Sequence, residues 1–316
     1  MERIISDSSF LELANRAGRI MDQALAPTTR TRYLASWRRY EAWCAAKGIQ
    51  KPNSDPKTIT LFLTERSAKV GQSALEQDLA AIRFMCAMNG VEFKDPRNYL
   101  RRFMRGIRRE RGHDPKRKRM IAPVLLGQML DHLPENGPKA SRDRAALLIG
   151  FSLALRRSEI VAIGWDDIVF EDAHLIVRLK PSKNHSNAVF QWIPKVPSSL
   201  CAFNAMQHWY QLSNRPIDGP CFPAIRDGKI QKRAVSDRYI NRLVKRLLLL
   251  CDKVPQEFGA HSLRSGIATA AHWEGLSDAD IRKITRHKST GGLLPYLQPK
   301  DGLLHEQIFR SFDNEG

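Results

Sequence analysis

AHSLRSGIATAAHWEGLSDADIRKITRHKSTGGLLPYLQP, residues 260–299, is the stretch around which the rest of the chain can be read. His261 and Arg264 are three apart, a spacing that puts both on one face of a helix. His287 follows, and Tyr296 comes nine residues after it. A guanidinium, two imidazoles and a phenol brought together make a site for an anion, with the tyrosine as attacking group. Gly291 and Gly292 form a flexible joint ahead of Pro295 and Tyr296. Tyr296 is therefore expected to sit away from the arginines when no anion is bound.

The composition names the kind of anion. The 316 residues carry 51 Lys and Arg against 33 Asp and Glu, a formal net charge of +18. Such an excess favours a polyanion, through release of counterions from its phosphates. The plainer reading, a merely solvated basic surface, is disfavoured by where the arginines cluster. No apolar run is long enough to span a bilayer, and residues 1–20 lack the order of a signal peptide, so no membrane partner and a cytoplasmic location are expected. Five scattered cysteines form no CxxC pair, which indicates neither a zinc site nor a disulfide framework. No Asp/Glu cluster suits two metal ions and no Walker-type loop is present, so neither metal nor cofactor is expected.

Upstream, the pattern divides the chain. Residues 1–19 are a weakly patterned tail, and 20–111 read as a compact domain of about four helices. Pro27 opens the first, with Tyr33, Trp37, Tyr40 and Cys44 at helical spacing and Gly48 as its stop. Asp55-Pro56 starts a second, Ser73 caps a third, and Asp95-Pro96 opens a fourth. The fourth turns basic, with Arg101, Arg105, Arg108 and Arg109 as candidate DNA contacts. Residues 112–120 combine Gly112 and Pro115 with Lys116, Arg117, Lys118 and Arg119, a basic linker also expected to follow a duplex.

From 121 to 316 the pattern is α+β. Ser141 is read as the cap of an apolar helix that ends at Leu155-Arg156-Arg157-Ser158-Glu159-Ile160. Charges at the end of a buried helix require either pairing with one another or an anion. Strand-like runs follow at 167–170, 174–179 and 188–193, the last two joined by a basic hairpin containing Lys180 and Lys183. Helices are expected at 198–212 and 236–251, then from His261 to about Gly275, with Ser277 capping a short one.

Four boxes, in order, resemble those of the tyrosine recombinases, or phage-type integrases: LRRSEI (155–160), PSKN (181–184), HSLR (261–264) and RHKS (286–289) with Tyr296. The similarity spans about residues 120–300, and the helical domain before it is similar to the family's core-binding domain. The resemblance implies a mainly α fold with a small antiparallel β-sheet, made of a SAM-like helical core-binding domain and an α+β catalytic domain. It implies that Arg156 and Arg264 grip the non-bridging oxygens of a scissile phosphate, a task suited to their planar forks. His287 would add a third donor. His261 would assist the tyrosine or hold its neighbours, and Glu159 would orient the arginines. Lys183 would be the general acid, with Lys180 as its competitor. Tyr296 would attack, leaving a 3′-phosphotyrosyl link. Double-stranded DNA would be the partner, with a tetramer on two sites and a possible accessory directionality factor. The short N-terminal tail makes the layout similar to Cre and Xer recombinases. A type IB topoisomerase-like relaxing enzyme and a non-catalytic DNA-binding regulator are the alternatives.

Two features are unusual for the family. Ala154 stands where many relatives have glycine, and Arg157 adjoins Arg156 as a rival in register.

Overall fold

A computed structural model describes residues 12, 16, 26–49, 52–112, 118–181, 187–214, 216–259 and 261–287. The chain divides into two compact units, Met1–Pro115 and Lys116–Gly316.

Among the described residues from 26 onward, the first unit holds four α-helices: α1 (Pro27–Ala46), α2 (Pro56–Ser67), α3 (Gln72–Met88) and α4 (Tyr99–Glu110). Pro27 and Pro56 occupy first turns, where a missing N–H costs nothing. Asp55 caps α2 by accepting the Thr58 N–H at 2.9 Å. The aromatic stripe of α1 turns inward, and Tyr40 packs edge-on to Phe62 at 5.1 Å. One buried carboxylate ties three helices: Asp78 on α3 accepts from Arg39 on α1 at 2.7 Å and from Arg66 on α2 at 3.0 Å. Burial pushes that carboxyl upward, but the hydrogen bonds from Arg39, Ser36 and Arg66 outweigh it and hold it below the usual range.

Two expected starts are corrected here. Helix α3 begins at Gln72 after Gly71, not at a Ser73 cap. Asp95-Pro96 opens only a 3₁₀ turn; Arg97 and Asn98 then take left-handed φ values of 54° each, and α4 starts at Tyr99. On α4, Leu100, Met104 and Ile107 face the core, which leaves Arg101, Arg105, Arg108 and Arg109 exposed.

The second unit begins with α5 (Pro123–Asp131), α6 (Pro138–Ser152) and α7 (Arg157–Ala162). A three-stranded antiparallel sheet follows in the order β1 (Ile168–Phe170), β2 (His174–Leu179), β3 (Val189–Pro194). Leu175, Val177, Leu179 and Ile193 turn to the core, while Phe190 and Trp192 remain exposed. Next come α8 (Ala202–Leu212), a hairpin of β4 (Pro223–Arg226) and β5 (Lys229–Ala234), α9 (Asp237–Leu250), α10 (His261–Trp273) and α11 (Asp278–Thr285). The β4–β5 hairpin is an addition to the sequence reading.

Helix α6 starts at Pro138, before the expected Ser141 cap, because Gly137 (φ 110°) turns the chain first. Helix α8 starts at Ala202, four residues later than expected, with Cys201 Sγ accepting the Asn204 N–H. Buried Arg142 and Asp143 on α6 pair at 2.6 Å, and the Tyr239 hydroxyl of α9 donates to Asp143 at 2.7 Å, fixing α6 to α9. Gly266 lets α10 lie against the segment before α5: a β-carbon there would fall 2.0 Å from the Ile121 carbonyl oxygen. The thiols of Cys44, Cys86, Cys201 and Cys221 are buried and that of Cys251 is partly exposed; all five are unpaired with one another. Among the described residues no helix is long and apolar enough to cross a membrane.

Candidate active site

The site is assembled from three helix ends that meet: the end of α6, the start of α10 and the end of α11. Helix α6 stops in a Schellman turn, in which the Ala154 N–H donates to Phe151 O at 2.9 Å and the Leu155 N–H to Gly150 O at 2.8 Å. The turn requires a left-handed residue, and Ala154 supplies it at φ 49°. Arg156 then caps α7. Glu159, three residues on, accepts the Arg156 backbone N–H at 2.8 Å and its guanidinium at 2.7 Å. Neighbouring Arg157 turns elsewhere, to Asp237 at 3.0 Å. The pair expected at this helix end is thus Arg156–Glu159, with Arg157 outside it.

His261 and Arg264 share one face at the start of α10. Arg264 is fully buried, and its Nη1 donates to the Ala154 carbonyl at 2.7 Å. Its Nη2 meets His287 Nε2 at 3.2 Å. His287 Nδ1 lies 2.7 Å from Thr285 Oγ1, which is also 2.7 Å from the Ile281 carbonyl. The hydroxyl has one proton and a carbonyl can only accept, so Thr285 donates to Ile281 and accepts from Nδ1–H. Arg264 can only donate, so Nε2 offers its lone pair. His287 is therefore a neutral Nδ1–H imidazole.

The electrostatics agree. Burial, then the charges of Arg264, Arg156, His261 and Arg286, push His287 down to about 4. The His261 ring keeps an exposed edge, yet desolvation on its protein side, then Arg264 and Arg156, hold it below its ordinary value while Glu159 opposes them. Burial raises the Glu159 carboxyl, but the Arg286 charge and the bonds from Arg156 outweigh this and keep it ionised. Three guanidiniums, two imidazoles and one carboxylate thus form a cationic cluster able to hold a singly charged oxyanion.

Arg286 and Thr285 were not singled out in the sequence. Arg286 ends α11 at φ 57°, and its Nη2 lies 3.0 Å from Glu159 Oε2. The signal for Thr285 was a polar residue one turn after Ile281 on a buried helix face. Asp167 was missed as well. This buried carboxylate accepts from the Gly164 N–H at 3.0 Å, Arg178 at 2.8 Å and Lys180 at 2.9 Å. Lys180 is thereby held at the root of the hairpin. Lys183 and Tyr296, with the Gly291–Gly292 joint, lie outside the described residues, as do Lys116 and Arg117.

The other expected DNA contacts are placed as follows. Arg101, Arg105 and Arg109 project from α4, and Arg108 pairs with Glu76 at 2.8 Å. Lys118 and Arg119, expected in the linker, fall within the second unit: Lys118 donates to the Gln256 carbonyl, and Arg119 pairs with Glu257 at 3.1 Å.

Comparison with known proteins bears on these motifs. The model of the phage integrase family matches residues 124–301. The chain is 27% identical over 296 residues to an integrase/recombinase XerD homolog of Selenomonas ruminantium, covering 90% of this chain and 86% of that protein. It is 31% identical over 172 residues to tyrosine recombinase XerC of Xanthomonas axonopodis pv. citri, about half of each chain (51% and 53%). The fold is similar to the crystal structure of the XerH recombinase in a post-cleavage complex with a palindromic difH substrate, with TM-score 0.62, 12% identity and coverage of 87% and 77%. It is similar also to lambda integrase (75–356) bound as a dimer to a COC′ core site, with TM-score 0.59, 15% identity and coverage of 92% and 95%. With the boxes in order and their arginines and histidines drawn into one cluster, the chain belongs to the phage integrase family, the tyrosine recombinases, whose members are enzymes that break and rejoin DNA.

Proposed function

We propose that the chain is a site-specific recombinase that cleaves and reseals duplex DNA through a 3′-phosphotyrosyl intermediate. The observation that carries this reading is the convergence of Arg156, His261, Arg264 and His287 on one site, held by Glu159. Arg156 and Arg264 bind the non-bridging oxygens of the scissile phosphate, and Tyr296 attacks phosphorus as its phenolic proton passes to the neutral His261 imidazole. Phosphoryl transfer of this kind depends on positioning and charge stabilisation, both of which fixed guanidiniums supply. His287 takes up a proton as the phosphate offsets the surrounding cations, and Nε2–H then donates to the pentacovalent phosphorane. Lys183 protonates the departing 5′-oxygen. The ion pair of Lys180 with Asp167 supports this choice, since that ammonium is already engaged.

The two units bind one duplex, with the exposed arginines of α4 and the basic 112–120 segment facing phosphates. Four copies act on two sites. The relatives' names, and the DNA complexes of XerH and lambda integrase, favour recombination at defined sites.

The test is covalent capture on a nicked duplex selected from a random-sequence pool. Wild-type protein is expected to form an adduct, Tyr296→Phe none, and Arg264→Lys one formed at least ~100-fold more slowly. Capture that survives Tyr296→Phe would show another nucleophile. Plasmid relaxation with no exchange between paired selected sites would exclude recombination.

A further inference from the structure

Glu159 joins two segments far apart in sequence. From one side Arg156 gives it a backbone N–H at 2.8 Å and a guanidinium N–H at 2.7 Å. From the other, across 127 residues, Arg286 Nη2 reaches it at 3.0 Å and also lies 3.4 Å from the Leu153 carbonyl. The Arg286 side chain is only 7% exposed, and its backbone holds the left-handed φ of 57°. A buried guanidinium on a disfavoured backbone is expensive, and it is retained only where its partner compensates. Glu159 is that partner. Arg286 adjoins His287, so whatever fixes the one sets the place of the other.

We infer that Arg286 is a positioning residue for strand cleavage: its bridge to Glu159 and the Leu153 carbonyl locks the end of α11 onto the α6–α7 segment, and so sets the spacing of His287 from Arg156. This rests on the phosphate-site reading above and extends it to a residue that need not touch DNA. The bridge couples the groups around His287. Thr285 and Arg286 flank it on its own segment, and Arg282 Nε lies 3.5 Å from its carbonyl. Arg264 and His261 face it from α10 and Arg156 from the cap of α7. Loosening the bridge removes one cation from this group and lets the imidazole move toward water, and both changes favour its protonation.

The full chain with Arg286→Met, Arg286→Lys or Arg286→Gly provides the test. Glycine relaxes the left-handed backbone, so that variant is expected to fold. Two readouts are compared: the His287 titration followed by ¹⁵N-imidazole NMR without DNA, and capture on the nicked duplex selected with the wild type. In Arg286→Met and Arg286→Gly the His287 midpoint is expected to rise by about one pH unit or more and capture to slow ~10-fold or more. Arg286→Lys, which keeps the charge on a single donor, is expected to recover part of both. Adding Glu159→Gln to Arg286→Met should move the midpoint no further. Unchanged titration and capture in the Met and Gly variants overturn the inference and leave the site reading intact. A lysine variant as impaired as methionine, with all variants equally destabilised, reduces the bridge to a fold contact and overturns it too. If wild-type protein captures no DNA while the titration shifts as stated, the site reading fails, and with it a role for Arg286 in cleavage.

Discussion

Ala154 holds a conformation that L-residues resist by about 1–2 kcal/mol. Its carbonyl accepts from Arg264, so the strain lies directly beneath the cluster of Arg156, Arg264 and His287. Ala154→Gly is expected to stabilise the folded chain by roughly 1 kcal/mol, less than the full strain because glycine gains freedom on unfolding. Calorimetry checks it: a raised melting temperature is expected, and a lowered one would mean that the lost methyl contact outweighs the strain. His287 sets a pH dependence. Its folded value of about 4 lies below its ordinary 6.5, so between these values the unfolded chain binds the extra proton. Stability therefore falls as pH drops from 6.5 through 4 and is level for this group above about 7. Glu159 acts with the same sign: the stability from its lowered carboxyl is present above the ordinary carboxylate range and is lost as pH falls through its folded value. Urea midpoints from pH 4 to 8 should show this loss, shallower between 6.5 and 4.5 in His287→Gln. At this scale the boxes that mark the family were legible in the sequence. The contact of Arg286 with Glu159 joins residues 127 apart and has no local signature.

Elements were legible where punctuation was strong. Asp55-Pro56, Ser236 and Ser277 each opened a helix as read, since each side chain accepts an early N–H of its helix. Legibility failed where backbone geometry overrode residue type. Gly71 and Gly137 began helices before the serines that looked like caps, and Arg97 with Asn98 adopted left-handed angles without a glycine. The β4–β5 hairpin carried a readable signal in Asp227-Gly228, both at positive φ, as a two-residue turn requires. It was hidden because β5, KIQKRA, is too polar and exposed to alternate cleanly. Close approach of elements gives the prediction at this scale. Gly266→Ala sets a methyl group against the Ile121 carbonyl, so α10 must move; a loss of about 1–3 kcal/mol is expected in denaturant unfolding. Because α10 bears His261 and Arg264, DNA capture should slow as well.

For the whole molecule, charge is the governing quantity. A net charge of +18 makes nonspecific duplex binding steeply salt-dependent. Fluorescence anisotropy between 50 and 200 mM salt is expected to show an affinity loss of about 10³-fold or more if six or more phosphates are neutralised. Replacing Arg101 and Arg105 together by glutamine should lower the slope by about 2 if both contact phosphate. The boundary between the two units falls at Pro115, inside the basic run 112–120, so Lys118 and Arg119 belong to the second unit, where acceptors at Gln256 and Glu257 lie within their reach. The thiol inventory has a practical consequence for measuring such a molecule. Burial raises the thiols of Cys44, Cys86 and Cys221, and Cys251 is the one thiol with partial exposure. A Cys251→Ser background should then be nearly inert to maleimide while folded. Cysteines placed at exposed Lys57 and Lys232, one in each unit, would take a donor and an acceptor dye. Energy transfer between them would follow the two units in real time as a duplex is captured and released.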